Sequence, residues 1–379
     1  MKHRVSLQRL SDYQPEQVDE QLRALLAPLG GIEAFVQPGQ KVLLKPNLLS
    51  GKAPDKAVTT HPEILRATIR LVQQAGGIVS VGDSPGVGSP QQVAQRCGIL
   101  SVVEETGAVF APFQESVRVK PPGATFQELE IAQDILDADV IINLPKLKTH
   151  QMMGLTCAVK NLYGAVVGMR KARLHLQAGT DKAFFATMLL DLANFVRPAL
   201  TIVDAVVGME GDGPGSGDPV QIEALLAGEN LLAVDAVALA LVGMNPDLCW
   251  TQKVAAAKNL PGCRLNEVDL VGDELEELRL SSFRPSKVTD VNFGLKPVVK
   301  RILKRHISAY PVVLHDTCQR CGLCVKHCPP TAMTIVNGRL KIDYQLCIGC
   351  FCCQELCPHA ALLTRQGLML RLIRFLQNR

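Results

Sequence analysis

The sequence predicts an α/β protein: a mostly parallel sheet with helices on both faces, followed by a small α+β C-terminal domain. Three observations lead there. Strand and helix signals alternate over the first 280 residues, which argues for parallel strands joined by crossover helices. The chain is 47% hydrophobic but only 4% aromatic, so its core is aliphatic, as buried parallel strands require. Near the C-terminus the alternation gives way to eight cysteines in two runs of identical spacing. A chain of 379 residues is long enough for two or three domains. We divide it into an α/β domain (1–280), a basic linker (281–310), a small cysteine-rich domain (311–364) and a basic amphipathic tail (365–379).

The elements follow in order. Lys41 to Lys45 is a strand ended by Pro46-Asn47. Pro62 opens a helix at its first position, with Thr60 or His61 as cap, and Ile64, Leu65, Thr68, Ile69, Leu71 and Val72 form its apolar face. Gly76-Gly77 ends that helix, and Ile78 to Gly82 is the next strand. Gln91 to Cys97 reads as helix, Ala108 to Pro112 as strand and Ala138 to Asn143 as a buried strand. A helix from Ala183 to Val196, strands from Ala199 to Val203 and Gln221 to Leu226, a helix from Leu231 to Leu241 and a strand from Val268 to Val271 complete the pattern. Ser281 to Thr317 breaks it and links the two domains.

The first cysteine run is Cys318, Cys321, Cys324 and Cys328, followed by Pro329; the second is Cys347, Cys350, Cys353 and Cys357, followed by Pro358. Each is C-x2-C-x2-C-x3-C-P, the signature of bacterial ferredoxins that carry two [4Fe-4S] clusters. Three closely spaced thiolates wrap one face of a cubane, and the fourth comes from the other run. Cys318, Cys321, Cys324 and Cys357 are therefore expected to hold one cluster, and Cys347, Cys350, Cys353 and Cys328 the other. Asn337-Gly338 between two short apolar runs marks a hairpin with a type I′ turn. A zinc ribbon uses paired C-x2-C units, and disulfides belong to oxidising compartments, so neither fits as well. Cys352 reads as a small apolar filler rather than a ligand.

Net charge is +4, too little to imply nucleic-acid binding. Met1 to Leu10 holds no apolar signal core, and no run of eighteen apolar residues suggests a membrane span. Free thiols and cluster ligands point to a reducing cytoplasm. Basic charge is concentrated in Lys296 to His306 and in Thr364 to Arg379. Both segments have helical apolar stripes, which more often pack on their own protein than on an anionic membrane. They also suit an acidic redox partner.

In open α/β sheets ligands sit beyond the carboxyl ends of the strands. There the sequence places Lys45 and Asn47, then Gly82-Asp83-Ser84-Pro85-Gly86, then Pro145 to His150 with Lys146 and Lys148, then Lys160-Asn161, then Asp204 and the run Gly208 to Gly215 with Glu210. Each alone reads as a turn or a solvated loop. Together, several lysines with Asp83, His150 and Glu210 suggest a site for an anionic small molecule, with a divalent metal as a further expectation. No P-loop and no G-x-G-x-x-G follows a strand.

KPNLL (45–49), THP (60–62), GDSPG (82–86), INLPKLKTH (142–150), VKNLYGAVVG (159–168), VDAVVGMEGDGP (203–214) and NLLAVDAVA (230–238) together resemble the family known as domain of unknown function 362, over residues 3 to 280. The resemblance implies the fusion to a two-cluster ferredoxin tail and locates the site region; it supplies no substrate. Two functions follow from the sequence. In one, the chain is an iron–sulfur oxidoreductase in which Lys45, Lys146, Lys148 and Lys160 neutralise the ligand while Asp83, His150 or Glu210 moves protons. In the other it is a ferredoxin-type carrier or assembly factor whose large domain is a docking module.

Overall fold

The structure, a computed structural model, describes residues 2–287 and 308–367 apart from Val87, Pro122, Gln127 and Met169. The basic segment Lys296 to His306 and all but the first three residues of the 365–379 tail lie outside the described residues.

In chain order the large domain contains strands β1 (His3–Arg9), β2 (Lys41–Pro46), β3 (Ile78–Val81), β4 (Val109–Phe110), β5 (Ser116–Val119), β6 (Leu129–Ala132), β7 (Val140–Leu144), β8 (Lys146–His150), β9 (Gly154–Thr156), β10 (Leu200–Glu210), β11 (Asp218–Gly228) and β12 (Val268–Gly272). One mixed sheet runs β12-β1-β11-β10-β7-β2-β3-β4, with β8 and β9 attached to β10, and β5 and β6 form a separate hairpin. The run β10-β7-β2-β3-β4 is parallel. Antiparallel β11 separates it from β1, which pairs with β12 in parallel. The sheet is therefore mostly parallel but mixed.

Alternation along the strands explains two of the hydrophobic cores. Val42 and Leu44 of β2 and Ile142 and Leu144 of β7 point to one face, while Leu43 and Ile141 point to the other. On the first face lies helix Pro62–Gln74, with His61 as cap and Ile64, Leu65, Ile69, Leu71 and Val72 buried. Each such side chain contributes about 1.5–3 kcal/mol through burial. Helix Lys182–Val196 covers the other face.

Two segments depart from the expected plan. The sequence predicts Pro145 to His150 as a strand-end segment, yet Lys146–His150 is itself a fully buried strand between β10 and β9. The Lys-Leu-Lys alternation suggests solvent-facing side chains, but both lysines find buried partners, which the sequence pattern alone does not reveal. Likewise β10 continues through Glu210 instead of ending near Val203. Gly208 permits this, because a Cβ there would lie 3.0 Å from Leu147 O of β8 and 2.4 Å from Ile222 Cδ1.

The small domain contains β13 (Ala309–Val313), β14 (Met333–Val336), β15 (Arg339–Ile342) and β16 (Leu362–Gln366). The β13–β16 pair closes it, and β14–β15 form the expected hairpin. Asn337 and Gly338 have φ of 50° and 68°, as a type I′ turn requires.

Candidate functional site

The carboxyl end of β2 delivers Lys45 and Asn47, and that of β3 delivers Asp83. Lys45 is fully buried. It pairs with Asp83 Oδ1 at 2.7 Å and donates to Asn161 O at 2.6 Å. The other Asp83 oxygen accepts from Leu48 N at 2.8 Å. The pair packs on Gly164, where a Cβ would stand 1.8 Å from Asp83 Oδ1 and 2.6 Å from Lys45 Nζ, so no larger residue fits. Asparagines extend the network: Asn47 donates to Asn161, and Asn161 to Asn143, each at 2.8 Å. Lys148 closes it, donating to Asn47 Oδ1 at 2.8 Å and Val58 O at 2.5 Å.

This network forms one side of a cavity of about 90 Å³. Asp83, Lys148, His150 and Lys160 line it, as expected, together with Thr156, Tyr163, Lys171 and His175. Its remaining wall comes from the cysteine-rich domain: His327, Cys352, Glu355 and Leu356. His150 accepts at Nδ1 from the Met152 and Met153 amides (3.1 and 3.2 Å), which leaves Nε2 facing Glu355 Oε1 at 3.0 Å. Burial pushes the Glu355 carboxyl up, but His150 and Lys160 outweigh it and hold the group down at about 2. Glu355 is thus an anion supplied by one domain to the cationic cleft of the other.

The lysines differ in how they are satisfied. Lys171 donates to Ser84 O at 2.6 Å and Pro85 O at 3.2 Å. Burial pushes both Lys148 and Lys171 down to about 7. Lys160 has no hydrogen-bond partner among the described residues; its ammonium lies 4.8 Å from the centroid of the Tyr163 ring. Burial also lowers Lys160 and His150, and it takes His175 down to about 3. Both imidazoles are therefore neutral.

Three expected site residues lie elsewhere. Lys45 stands behind Asp83 rather than on the cavity wall. Lys146 belongs to a separate network, bonded to Asp204 Oδ2 (2.7 Å), Tyr13 Oη (2.9 Å) and Val207 O (2.9 Å). Glu210 pairs with Arg284 at 2.6 Å at the surface, because β10 runs on past the cleft before it turns. Residues that the strand-end rule misses are Lys171 and His175, which lie on helix Arg170–Ala178, and Glu355. An i, i+4 spacing of Lys and His is the available signal for the first two. For Glu355 it is the acid standing where the first cysteine run has Lys326.

The cysteines fit iron–sulfur ligation. Cys318, Cys321, Cys324 and Cys357 line one pocket. Burial, and then Cys357, Cys321 and Cys318, push the Cys324 thiol up to about 11, a repulsion that bound iron relieves. Cys328 is raised by burial and by Cys350 and Cys347 of the other run. Equivalent amides support the two run-closing thiols, Ala332 N on Cys328 and Ala361 N on Cys357, each at 3.3 Å. Among the described residues no three His, Cys, Asp or Glu side chains form a single-ion cage. A cubane needs wider spacing, since its thiolates bind at separate corners. The runs differ in setting: Cys321 is exposed, whereas Cys350 and Cys352 are buried in the core beneath the sheet. Cys352, a filler by its sequence, also forms part of the cleft wall.

The profile described as domain of unknown function 362 matches residues 42–240, and that of a 4Fe-4S dicluster domain matches 310–358. A thylakoid-associated protein from Synechocystis sp. is 37% identical over 303 residues, covering 79% of this chain and 93% of that protein. Pyruvate synthase subunit PorD from Methanocaldococcus jannaschii is 39% identical over 49 residues, 13% of this chain and 57% of that subunit. The lactate racemase apoprotein from Thermoanaerobacterium thermosaccharolyticum superposes with a TM-score of 0.37 at 12% identity, over 60% of this chain. The chain spans 54% of that structure's length. No helix of the described residues is long and apolar enough to cross a membrane.

Proposed function

The chain belongs to the family described as domain of unknown function 362, joined to an iron–sulfur electron carrier domain, and from that premise we propose that it passes electrons to a small anion bound in the cleft. One observation carries this: Cys352, Glu355 and Leu356 of the second cysteine run form a wall of the lysine-lined cavity. Two [4Fe-4S] clusters, held by the crossed sets Cys318, Cys321, Cys324, Cys357 and Cys347, Cys350, Cys353, Cys328, would supply one electron each. The ligand gains those electrons with protons from the cleft. Lys160 meets the ligand's charge, while Lys148 and Lys171 are placed to hold or release a proton near neutral pH. Asp83 pairs with Lys45 beneath the site and opposes the burial that lowers it.

The electrons come from a one-electron donor protein. Five exposed or part-exposed basic residues of the small domain (Arg320, Lys326, Arg339, Lys341 and Arg365) favour an acidic donor. We place the protein in the cytoplasm, where its scattered thiols stay reduced. The relative's thylakoid association makes a membrane-bound donor the first to test.

The test starts from anaerobic protein reduced with dithionite and freed of excess reductant. Small carboxylates and phosphate esters are then added one at a time while the iron–sulfur absorption is followed. The expected result is reoxidation by a cleft ligand, slowed in Lys160→Ala. Electron delivery only to an external acceptor, at a rate that Lys160→Ala leaves unchanged, would make the large domain a docking module and the chain a carrier.

A further inference from the structure

Leaving aside the cysteines and the clusters they would hold, the side-chain charges around the cavity do not balance. Four lysines (Lys45, Lys148, Lys160 and Lys171) share this region with two carboxylates, Asp83 and Glu355. The strongest charges acting on Lys148, Lys160 and Lys171 include those same two acids and one another. His150 and His175 are neutral and change nothing in the count. With all four lysines protonated, two positive charges exceed the carboxylates; burial answers that cost by holding Lys148 and Lys171 down to about 7, and a bound dianion would remove it.

A second observation is independent of charge. Thr156 and His175 line the cavity, are only 4% and 3% exposed, and carry buried polar atoms, Thr156 Oγ1 and His175 Nδ1, that have no hydrogen-bond partner among the described residues. Buried polar atoms are normally satisfied, so two of them on residues that line one cavity point to a ligand there. A cavity of about 90 Å³ corresponds to the liquid volume of about three waters.

Resting on the electron-transfer reading, we propose that the ligand of this cleft is a small dianion, neutralised by Lys160 with Lys148 and Lys171 and hydrogen-bonded by Thr156 and His175. Lys160 is the primary contact, because its ammonium has no other hydrogen-bond partner among the described residues. Glu355 sets the preference: its own carboxylate, 3.0 Å from the neutral His150, offsets one lysine charge, so the site retains two rather than three.

Calorimetry on the full chain with its clusters, kept anaerobic near pH 7, where Lys148 and Lys171 are part-protonated, tests this with malonate and hydrogenphosphate as dianions and acetate as the monoanion. The dianions should bind about tenfold or more tightly than acetate, since each further neutralised charge in a low-dielectric cleft is worth at least that factor. Lys160→Ala should abolish most of the preference, and Glu355→Gln should increase it. Lys171→Met serves as a second variant, and cluster absorbance verifies folding of each. If acetate binds as tightly as the dianions in a protein whose clusters are still reoxidised through the cleft, the dianion assignment falls and the electron-transfer reading stands. If none of the anions binds, both fall. Lys160→Ala that retains full selectivity also overturns the proposal.

Discussion

Lys146 and Lys148 stand two residues apart on β8, both 1% exposed, yet they belong to different kinds of site. Lys146 meets a carboxylate, a phenol and a carbonyl within 2.9 Å, and Asp204 in turn binds Tyr13 and the amide of His61. Tyr13 stacks on His61 with centroids 3.5 Å apart. Every charge there has its counter-charge. Lys148 has only neutral partners, and its neighbour Lys160 has no hydrogen-bond partner among the described residues. A buried lysine is therefore not by itself a mark of function. What distinguishes the two regions is whether the polar network closes on itself or is left open toward a cavity.

The contrast breaks first at the closed network. Lys146→Ala strands Asp204 in the core and should cost about 3–5 kcal/mol in urea unfolding; a loss below about 1 kcal/mol would mean that the Tyr13–Asp204–Lys146 set is not a structural strut. Lys160→Ala sharpens the contrast from the other side. It should leave the unfolding midpoint nearly unmoved while malonate affinity drops about tenfold or more.

Next comes pH. Lys148 and Lys171 fall from 10.5 to about 7 on folding, with burial the largest cause. Between those values the unfolded chain binds more protons than the folded one, so ligand-free stability should rise as pH climbs from about 7 to 10.5. Lys148→Met should flatten that rise, whereas a slope of the opposite sign would show that the ammonium groups are not penalised. The smallest effect is expected at the surface. Glu210→Ala breaks a pair whose arginine is 60% exposed, and it should change stability by less than about 1 kcal/mol without touching anion binding.

Much of this arrangement is legible in the residues. Hydrophobic runs between glycines and prolines locate the parallel strands, because burial on both faces leaves a continuous aliphatic signal. The strand-end rule finds Asp83, Lys148, His150 and Lys160, since β2, β3 and β7 all end toward the same edge. It misplaces Lys146 and Glu210 because it treats every polar residue after a strand as facing the cleft. At β8 the chain forms a further strand, and at β10 it overshoots. Lys171 and His175 escape it because they are carried by a helix. Glu355 escapes because it lies 272 positions after Asp83, within a run whose cysteines already explain its spacing. The docking of the second cysteine run onto the sheet domain is a tertiary fact with no local signature.

Whether the cleft and the second cysteine run act as one electrostatic unit is tested most directly by redox titration, monitored by EPR, of the full chain with and without malonate. An anion placed against that run opposes the added electron, so one of the two cluster potentials should fall on malonate binding while the other stays nearly fixed. Lys160→Ala should remove the shift. If malonate binds and neither potential moves, the cleft and the clusters are electrically separate, and electron transfer into the cleft is contradicted.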